Sequence, residues 1–267
     1  MGIKSFNKNE ERLGEIRKNK DSLGGYEMKI IEYNRNKDII VEFQDEYKAK
    51  VHVCYNDFQN GQVKNPYHPS IYGFGYVGKG KYKVSEDGKN TKAYQIWKDM
   101  LKRCYDPYYI NKHLTYKDCF VCEEWHCFQN FSEWFYKNYY EIEEQRMELD
   151  KDILCKGNKI YSPNTCIFVP RRINLLFCKS DAIRGKYPIG VSWAKANNKF
   201  RAQCQILDKD GKKKRKGLGY YDASDEAFLA YKTFKENYIK QVADEYKDLI
   251  PIELYDVMYK YEVEIND

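Results

Sequence analysis

The 267-residue sequence predicts an α+β fold assembled from several small modules. Short strand-like runs occupy residues 26–55, helical apolar spacing begins near residue 92, and strand-like runs return after residue 185. No two of these regions repeat one another. The predicted regions are an N-terminal arm (1–22), a small β module (24–82), a central region with two strands and several helices (90–180), a three-stranded antiparallel sheet with a helix (186–248) and an acidic tail (249–267).

The composition predicts a folded protein of the cytoplasmic type. Hydrophobic residues make up 42% of the chain, charged residues 32% and aromatic residues 16%, which is enough apolar side chain to build packed cores and excludes wholesale disorder. The mean hydropathy is −0.83, and the absence of an apolar run of about 18 residues excludes a membrane span. The first residues are charged and lack the apolar stretch of a signal peptide. We therefore expect a cytoplasmic protein with nine reduced cysteines.

The charges are unevenly distributed along the chain. The net charge is only +6, but residues 184–220 contain eleven basic and two acidic residues. Residues 249–267 contain five acidic residues and one lysine. This asymmetry predicts one face that attracts phosphate and another that is kept away from it. The alternative is that the lysines only keep a loop soluble.

The first 82 residues predict an arm followed by a β module. Residues 1–22 alternate charges with few apolar anchors, which predicts a helix or a loose arm. Strand-like runs follow at 26–33, 38–45 and 48–55, separated by polar turn-like segments. The glycine- and proline-rich segment 60–82 cannot form a long helix. Residues 24–82 are therefore predicted as a small β module.

Helical spacing dominates the first half of the central region. Tyr94, Trp97, Leu101 and Tyr105 form the stripe of a core-facing helix that ends at a turn before Pro107. A second amphipathic stretch covers 128–142. The runs MELDKDIL and TCIFV then predict two strands around a loop, followed by a helix that Pro170 begins.

The region after residue 185 predicts three strands and a long helix. The strand-like runs are 190–193, 199–207 and 216–221, and the helix covers 225–246. Four segments carry a family resemblance: Gly190-Val191-Ser192-Trp193, Lys199-Phe200-Arg201-Ala202, Leu218-Gly219-Tyr220-Tyr221 and Glu226-Ala227 with Ala230-Tyr231. With these segments, residues 187–246 resemble the plant ethylene-response-factor (Apetala-type) DNA-binding domain. The resemblance implies a three-stranded sheet in the major groove of double-stranded DNA, supported from behind by the helix.

The resemblance also implies which side chains point toward DNA. The implied set is Trp193, Lys195, Lys199, Arg201 and Gln203, with Lys213, Lys214 and Arg215 of the basic hairpin. The two-residue period of a strand places positions 199, 201 and 203 on one face. Guanidinium and amide groups read purine edges, and lysines hold phosphates. Phe200 stands where the family usually has tryptophan, so no base preference follows. The alternative is a plain sheet-and-helix domain that binds protein.

The central region carries a second family resemblance. Its stretches YQIWKDMLKRCYDP, TYKDCFVCEEWHCFQNF and ELDKDILCKGNKIYSPNTCIFVPRRIN resemble a phage and mobile-element class related to HNH (His-Me finger) homing endonucleases. Laid on this chain, the pattern puts its aspartate at Asp150, its loop asparagine at Asn164 and its last ligand at Asn174. The resemblance implies a ββα metal site with Asp150 and Asn174 as ligands and Asp150, Lys151 and Asn164 as catalytic residues.

The residue types agree with a single hard cation. Carboxylate and amide oxygens suit Mg²⁺ or Mn²⁺, and such a cation would stabilise the charge of a phosphodiester under attack. Lys151, however, occupies the position of the general-base histidine. A lysine with an ordinary pKa is protonated at pH 7 and cannot accept a proton from water. Three alternatives remain open: desolvation lowers that pKa, another group activates water, or the region no longer cuts.

Three cysteines of the central region resemble half of a zinc site. Cys119 and Cys122 have the spacing of a ligand pair, and Cys127 follows. A closed zinc site needs four ligands, and no matching second pair is present in the sequence. We therefore expect buried thiols and no zinc.

Together these patterns predict a modular DNA-binding protein of phage or mobile-element type, acting in the cytoplasm of a bacterial host. Its predicted activity is metal-dependent hydrolysis of phosphodiester bonds in double-stranded DNA, as in a homing endonuclease. One alternative is a catalytically degenerate DNA-binding or regulatory protein. Another is a phage protein that binds and inhibits a host protein through its 26 tyrosines.

Overall fold

The α+β fold class is confirmed by a computed structural model that describes residues 11–178, 186–207 and 212–265. Residues 1–10 of the predicted arm, 179–185, 208–211 of the basic hairpin and 266–267 of the predicted tail lie outside the described residues. The described chain divides into two compact units. Unit one extends to Lys137 and includes Lys159–Ser162; unit two contains Asn138–Asn158 and the chain from Pro163 onward. The division therefore falls inside the predicted region 90–180.

The strands are β1 (Ile16–Lys18), β2 (Glu27–Arg35), β3 (Asp38–Phe43), β4 (Lys50–Val53), β5 (Ser85–Glu86), β6 (Lys89–Asn90), β7 (Phe120–Val121), β8 (Met147–Asp150), β9 (Ile160–Tyr161), β10 (Ile167–Pro170), β11 (Val191–Ala194), β12 (Lys199–Leu207) and β13 (Lys213–Tyr221). The α-helices are α1 (Tyr55–Gln59), α2 (Lys92–Tyr105), α3 (Pro107–Lys112), α4 (Phe128–Asn138), α5 (Arg171–Phe177), α6 (Ser224–Glu245) and α7 (Ile252–Tyr259). Short 3-10 turns lie at Asp21–Leu23, Leu114–Tyr116 and Glu123–His126.

Unit one begins with a four-stranded antiparallel sheet in the order β1-β2-β3-β4. Alternate residues of β2 and β3 are fully buried, as the two-residue period predicts; they include Met28, Ile30 and Val41. Phe58 of α1 is buried in the same core. The predicted β module is therefore a sheet that covers its apolar face with one short helix.

Residues 11–12 of the predicted N-terminal arm are helical, but the prediction of a helix or loose segment is wrong for Ile16–Lys18, which form a strand. Residues Ile16–Lys18 pair with β2, with Ile16 opposite Lys29, and the pairing continues at Gly14, whose N–H bonds to Ile30 O. All three residues of this strand are exposed. A strand without buried positions has no apolar alternation, so its sequence resembles a charged arm.

The helices of unit one follow the predicted apolar stripe. Helix α2 begins after Thr91, whose hydroxyl accepts a hydrogen bond from Tyr94 N. Trp97 and Leu101 are fully buried, and Trp97 Nε1 donates to Trp125 O at 2.7 Å. Asp106 ends α2 and caps α3 by accepting from the backbone N–H groups that follow Pro107. The predicted turn at 106–107 is therefore confirmed.

In unit two, β8, β10 and α5 form the predicted ββα arrangement. Strands β8 and β10 are antiparallel, with Asp150 opposite Ile167 and Met147 opposite Pro170. Pro170 ends the strand, and α5 begins at the next residue. Because proline has no backbone N–H to donate and its φ suits a helix start, it fits this junction.

The second part of unit two is an antiparallel sheet in the order β11-β12-β13, covered on one face by α6. Ala202 and Cys204 of β12 are buried on this face. Gly190 precedes β11 with a φ of +79°, and a Cβ there would lie 2.1 Å from Tyr231 Cδ2 of α6. Glycine is therefore required where the chain enters this sheet.

The acidic tail is wrong as a separate region. Helix α7 lies within residues 249–267, and its Leu254 and Met258 are fully buried in a core with Ile239 and Val242 of α6. Val263 beyond it is also buried. Acidic residues lie between these apolar positions, so the net charge of the segment gave no sign that part of it is buried. No helix among residues 11–178, 186–207 and 212–265 is long and apolar enough to cross a membrane.

Candidate functional site

On the C-terminal sheet, polar and buried side chains alternate along β12 from Arg201 to Gln205, and the alternation ends before the buried Leu207. In β12, Ala202 and Cys204 lie toward α6, whereas Arg201, Gln203 and Gln205 lie on the opposite, outer face and are partly or fully exposed. The predicted orientation of positions 201 and 203 away from the helix therefore agrees with the burial pattern. Across the ladder, Tyr220 lies opposite Arg201, and Arg215 lies opposite Gln205. The sheet thus presents two guanidinium groups and two amides on one surface.

Arg201 has an unsatisfied polar atom on this outer face. Its Nε is buried, and no hydrogen-bond partner for it exists among the described residues. Ser192, directly across the ladder, has a buried Oγ that also lacks a partner there. A buried polar group without a partner costs about 1–3 kcal/mol. Both atoms are closed off from solvent, so they report an unsatisfied pair inside the sheet and not atoms that a ligand could reach.

The lysines predicted to bind DNA have different surroundings. Lys195 is exposed after β11, and Lys199 forms an ion pair with Asp222 at 3.2 Å. Lys213 and Lys214 are exposed on the edge strand β13, opposite Leu207 and Ile206. Their long side chains extend from the edge of the sheet. This edge is therefore the basic border of the outer face.

Trp193 is the predicted DNA-facing residue that the strand register places elsewhere. It lies opposite Phe200, one position from the Ser192–Arg201 pair. Directly opposite residues share a face and neighbouring pairs alternate, so Trp193 lies on the other face from Arg201. Its ring packs edge-on against Phe200 with centroids 4.9 Å apart. The implied orientation of Trp193 beside Arg201 is therefore wrong.

Asp150 ends β8 and caps the turn that follows. Its Oδ1 accepts hydrogen bonds from the backbone N–H groups of Asp152 at 2.8 Å and Ile153 at 2.7 Å. Burial, together with the neighbouring charge of Asp152, raises the pKa of Asp150 to about 6. Burial is the larger of the two causes, so the shift mainly reflects the loss of solvent around this carboxyl.

Lys151 closes the loop after β8 and is 6% exposed. Its ammonium donates to Asp152 Oδ2 at 3.1 Å and to Asn158 O at 3.0 Å. In return, Asn158 Nδ2 donates to Lys151 O at 2.7 Å. These reciprocal bonds join the two ends of the loop. They give Lys151 a structural function at the position where the resemblance implied a catalytic one.

Asn164 does not stabilise this loop. It lies exposed in the turn before β10, and the described contacts contain no hydrogen bond from its side chain. The asparagine that joins the two ends of the loop is Asn158, through its hydrogen bond to Lys151 O. Spacing alone does not distinguish the two asparagines, since both lie in the same polar loop.

Asn174 contacts a carboxylate other than Asp150. From α5 its Nδ2 donates to Glu148 Oε2 at 2.5 Å. Glu148 also receives the guanidinium of Arg171 at 3.3 Å and that of Arg146 at 3.6 Å. The described contacts join Asn174 to Glu148, and none joins it to Asp150. Their implied sharing of one cation therefore has no direct support in the geometry.

Asp150 and Asp152 are the carboxylates that lie close together after β8. Within the described ranges no three His, Cys, Asp or Glu side chains are grouped to hold a metal ion, and this includes Cys119, Cys122 and Cys127. Mg²⁺ often needs only one or two carboxylates, with waters and substrate phosphate completing its shell. Burial is the main cause of the raised pKa of Asp150, and the charge of Asp152 adds to it. The carboxylate of Asp152 is itself paired with the Lys151 ammonium at 3.1 Å.

The thiol of Cys178, after α5, is influenced by charges from two parts of unit two. Burial and the negative charges of Asp150, Glu148 and Asp152 raise the pKa of the Cys178 thiol, whereas the charge of Lys213 lowers it. The carboxylates around the end of β8 and the lysine of β13 therefore have opposite effects on this thiol.

Sequence reasoning missed Glu148 and Asn158. The alternating pattern of MELD, with Met147 and Leu149 buried, places Glu148 on the same face as Asp150 and could have identified it. No local signal identifies Asn158, because its role depends on the backbone of Lys151 across the loop.

We expect the unfolding free energy of the Asp150→Asn variant to rise relative to that of the wild type as pH rises. A carboxyl whose pKa is about 6 when folded and about 4 when unfolded favours folding while protonated, and this stabilisation is lost as pH rises from 4 through 6. The amide has no such titration and can still accept the two backbone N–H groups. Urea denaturation in EDTA should therefore show that the difference in unfolding free energy between variant and wild type is about 1–3 kcal/mol more favourable at pH 8 than at pH 4. A difference independent of pH would contradict the shift.

No family model, curated protein or solved structure matches this chain.

Proposed function

We propose that this chain binds double-stranded DNA with the outer face of the β11–β13 sheet in the major groove. The observation that carries the proposal is the polar face of β12, on which Arg201, Gln203 and Gln205 lie opposite to the buried Ala202 and Cys204. Arginine donates to guanine O6 and N7, and glutamine pairs with adenine. A twisted antiparallel sheet fits the width of the groove.

The charge of the sheet border supports the same partner. Lys213, Lys214 and Arg215 are exposed along β13, next to the polar face. Lysine and arginine that neutralise phosphates give DNA-binding proteins most of their nonspecific affinity. In such an interface, groups at the centre are expected to contact base edges and cations at the border are expected to contact phosphates.

The test is the affinity of Arg201→Ala for double-stranded DNA. We expect the variant to bind a selected duplex about 5- to 150-fold more weakly, corresponding to about 1–3 kcal/mol, because alanine cannot form the bidentate bond to a base. Fluorescence anisotropy at fixed ionic strength measures the change. Arg35→Ala is the matched control, since it removes the same charge from a side chain that is 78% exposed in unit one. Equal affinities of the two variants would refute the groove assignment.

We propose as a second candidate that the ββα part of unit two hydrolyses phosphodiester bonds with Mg²⁺ or Mn²⁺. The specific observation in its favour is Asp150 at the end of β8, where burial and the charge of Asp152 raise the pKa of its carboxyl to about 6. Asp150 and Asp152 would hold the cation, which stabilises charge on the phosphate and on the leaving oxygen. Lys213 would bind a neighbouring phosphate.

Nicking of supercoiled plasmid separates this activity from its rivals. A catalytically degenerate DNA-binding protein would bind the plasmid and leave it supercoiled in every metal. A protein that inhibits a host protein would show no salt-dependent affinity for DNA at all.

A further inference from the structure

Basic side chains lie close together in unit one at the end of α2, along α3, in the loop before β7 and directly before β9. We call this set the basic–tyrosine patch. Its cations are Lys102, Arg103, Lys112, Lys117 and Lys159, and its aromatic side chains are Tyr108, Tyr109, Tyr116 and Tyr161. Contacts join its members across the segments. Lys159 Nζ donates to Thr115 O at 3.1 Å, and Arg103 lies 5.8 Å from the ring of Tyr116.

Arg103 is the innermost cation of the patch. Its guanidinium forms a hydrogen bond with Tyr161 and lies 5.8 Å from the ring centroid of Tyr116. Burial lowers the pKa of Arg103 and the neighbouring tyrosines raise it, with a net shift upward. The guanidinium is therefore charged at neutral pH, and the uncharged tyrosines do not neutralise it. The patch therefore keeps a positive charge at its centre.

The surrounding lysines also lack carboxylate partners. Among the described residues, none of the five cations of the patch forms an ion pair, whereas Lys81 and Lys137 of the same unit both pair with Glu133. The nearby carboxylate of Asp106 accepts the backbone N–H groups of Tyr108 and Tyr109 instead. Uncompensated like charges repel one another and favour an anionic partner.

The exposed aromatic side chains identify which anionic partner fits. Tyr108 is 68% exposed, and Lys112 Nζ lies 4.4 Å from its ring centroid. Lys102 similarly lies 5.4 Å from the ring of Tyr109. Basic groups beside the exposed ring of Tyr108 and the partly exposed ring of Tyr109 match a nucleic-acid strand, whose phosphates repeat along the chain and whose bases have flat faces that stack on aromatic rings.

We propose that the basic–tyrosine patch binds the phosphodiester backbone of DNA, as a second contact surface distinct from the sheet of unit two. This inference takes DNA as the partner from the proposed function, whereas the residues of the patch are separate from those of the sheet. Lys112, Lys117 and Lys159 are all exposed, and they contact phosphates directly. Arg103 supplies a fixed positive charge behind them.

The test is the salt dependence of DNA affinity in the full chain. We expect the triple variant Lys112→Gln, Lys117→Gln, Lys159→Gln to lower the slope of log K against log salt by about 0.9 for each phosphate of duplex DNA that it no longer neutralises, and by about 0.7 for each phosphate of a single strand. The control is Lys29→Gln, Lys37→Gln, Lys89→Gln, which removes the same charge from exposed lysines elsewhere in unit one. Circular dichroism and thermal melting check that both variants remain folded.

The outcomes separate this inference from the proposed function. A reduced slope in the patch variant alone supports the patch, and comparing a duplex with a single-stranded oligonucleotide shows which backbone it holds. A patch variant with the same slope as the control overturns the inference, even when Arg201→Ala weakens binding as expected. Absence of binding to either oligonucleotide by the wild-type chain overturns both.

Discussion

Asp150→Asn should lower metal-dependent nicking of supercoiled DNA by at least about 100-fold, the largest functional effect that we expect from a single substitution. In the proposed nuclease this carboxylate would hold the divalent cation together with Asp152. Its amide replacement has no charge but can still accept the N–H groups of Asp152 and Ile153, so the turn after β8 is preserved. The measurement is the initial rate of open-circle formation in Mg²⁺ and in Mn²⁺.

The controls for this experiment separate loss of chemistry from loss of binding. Glu143→Gln removes one exposed carboxylate from the same unit and should nick at the wild-type rate. The affinity of Asp150→Asn for a duplex measured without metal should equal that of wild type or exceed it, since a negative charge near the DNA is removed. Undiminished nicking by Asp150→Asn would exclude Asp150 as a ligand. A wild-type chain that never nicks would identify the degenerate DNA-binding protein.

Leu254→Ala should lower the free energy of unfolding by about 2–5 kcal/mol. Leu254 of α7 is fully buried among apolar residues of α6. Truncation to alanine removes apolar atoms that are buried on folding. It also leaves a cavity, because the surrounding helices relax only partly. Urea denaturation followed by circular dichroism measures the loss as a lower midpoint.

Ile252→Ala is the matched control for this substitution. Ile252 lies on the same helix but is 67% exposed, so its truncation should change the unfolding free energy by no more than about 0.5 kcal/mol. Similar effects of the two substitutions would mean that residues 249–267 are the loosely attached tail that their charge predicts.

The spacing of apolar residues predicted most of the strands and helices, because the buried positions of one element recur at a fixed interval along the sequence. The alternation in β2 and β3 and the stripe of Trp97 and Leu101 in α2 are confirmed. The same rule placed Arg201 and Gln203 together on the outer face of β12. Charged elements were predicted less well. Strand β1 has no buried position, and α7 carries its buried leucine and methionine among acids, so composition misrepresents both.

The sequence by itself determined the α+β class, the strands and helices that have a clear apolar period and the polar face of β12, since each depends on apolar spacing within one element. Only the tertiary structure decided that Asn158 locks Lys151, that Asn174 holds Glu148 and that Trp193 packs on Phe200. These contacts form between segments that are separated along the chain. Their partners are selected by register, loop closure and packing, for which local residue patterns contain no signal.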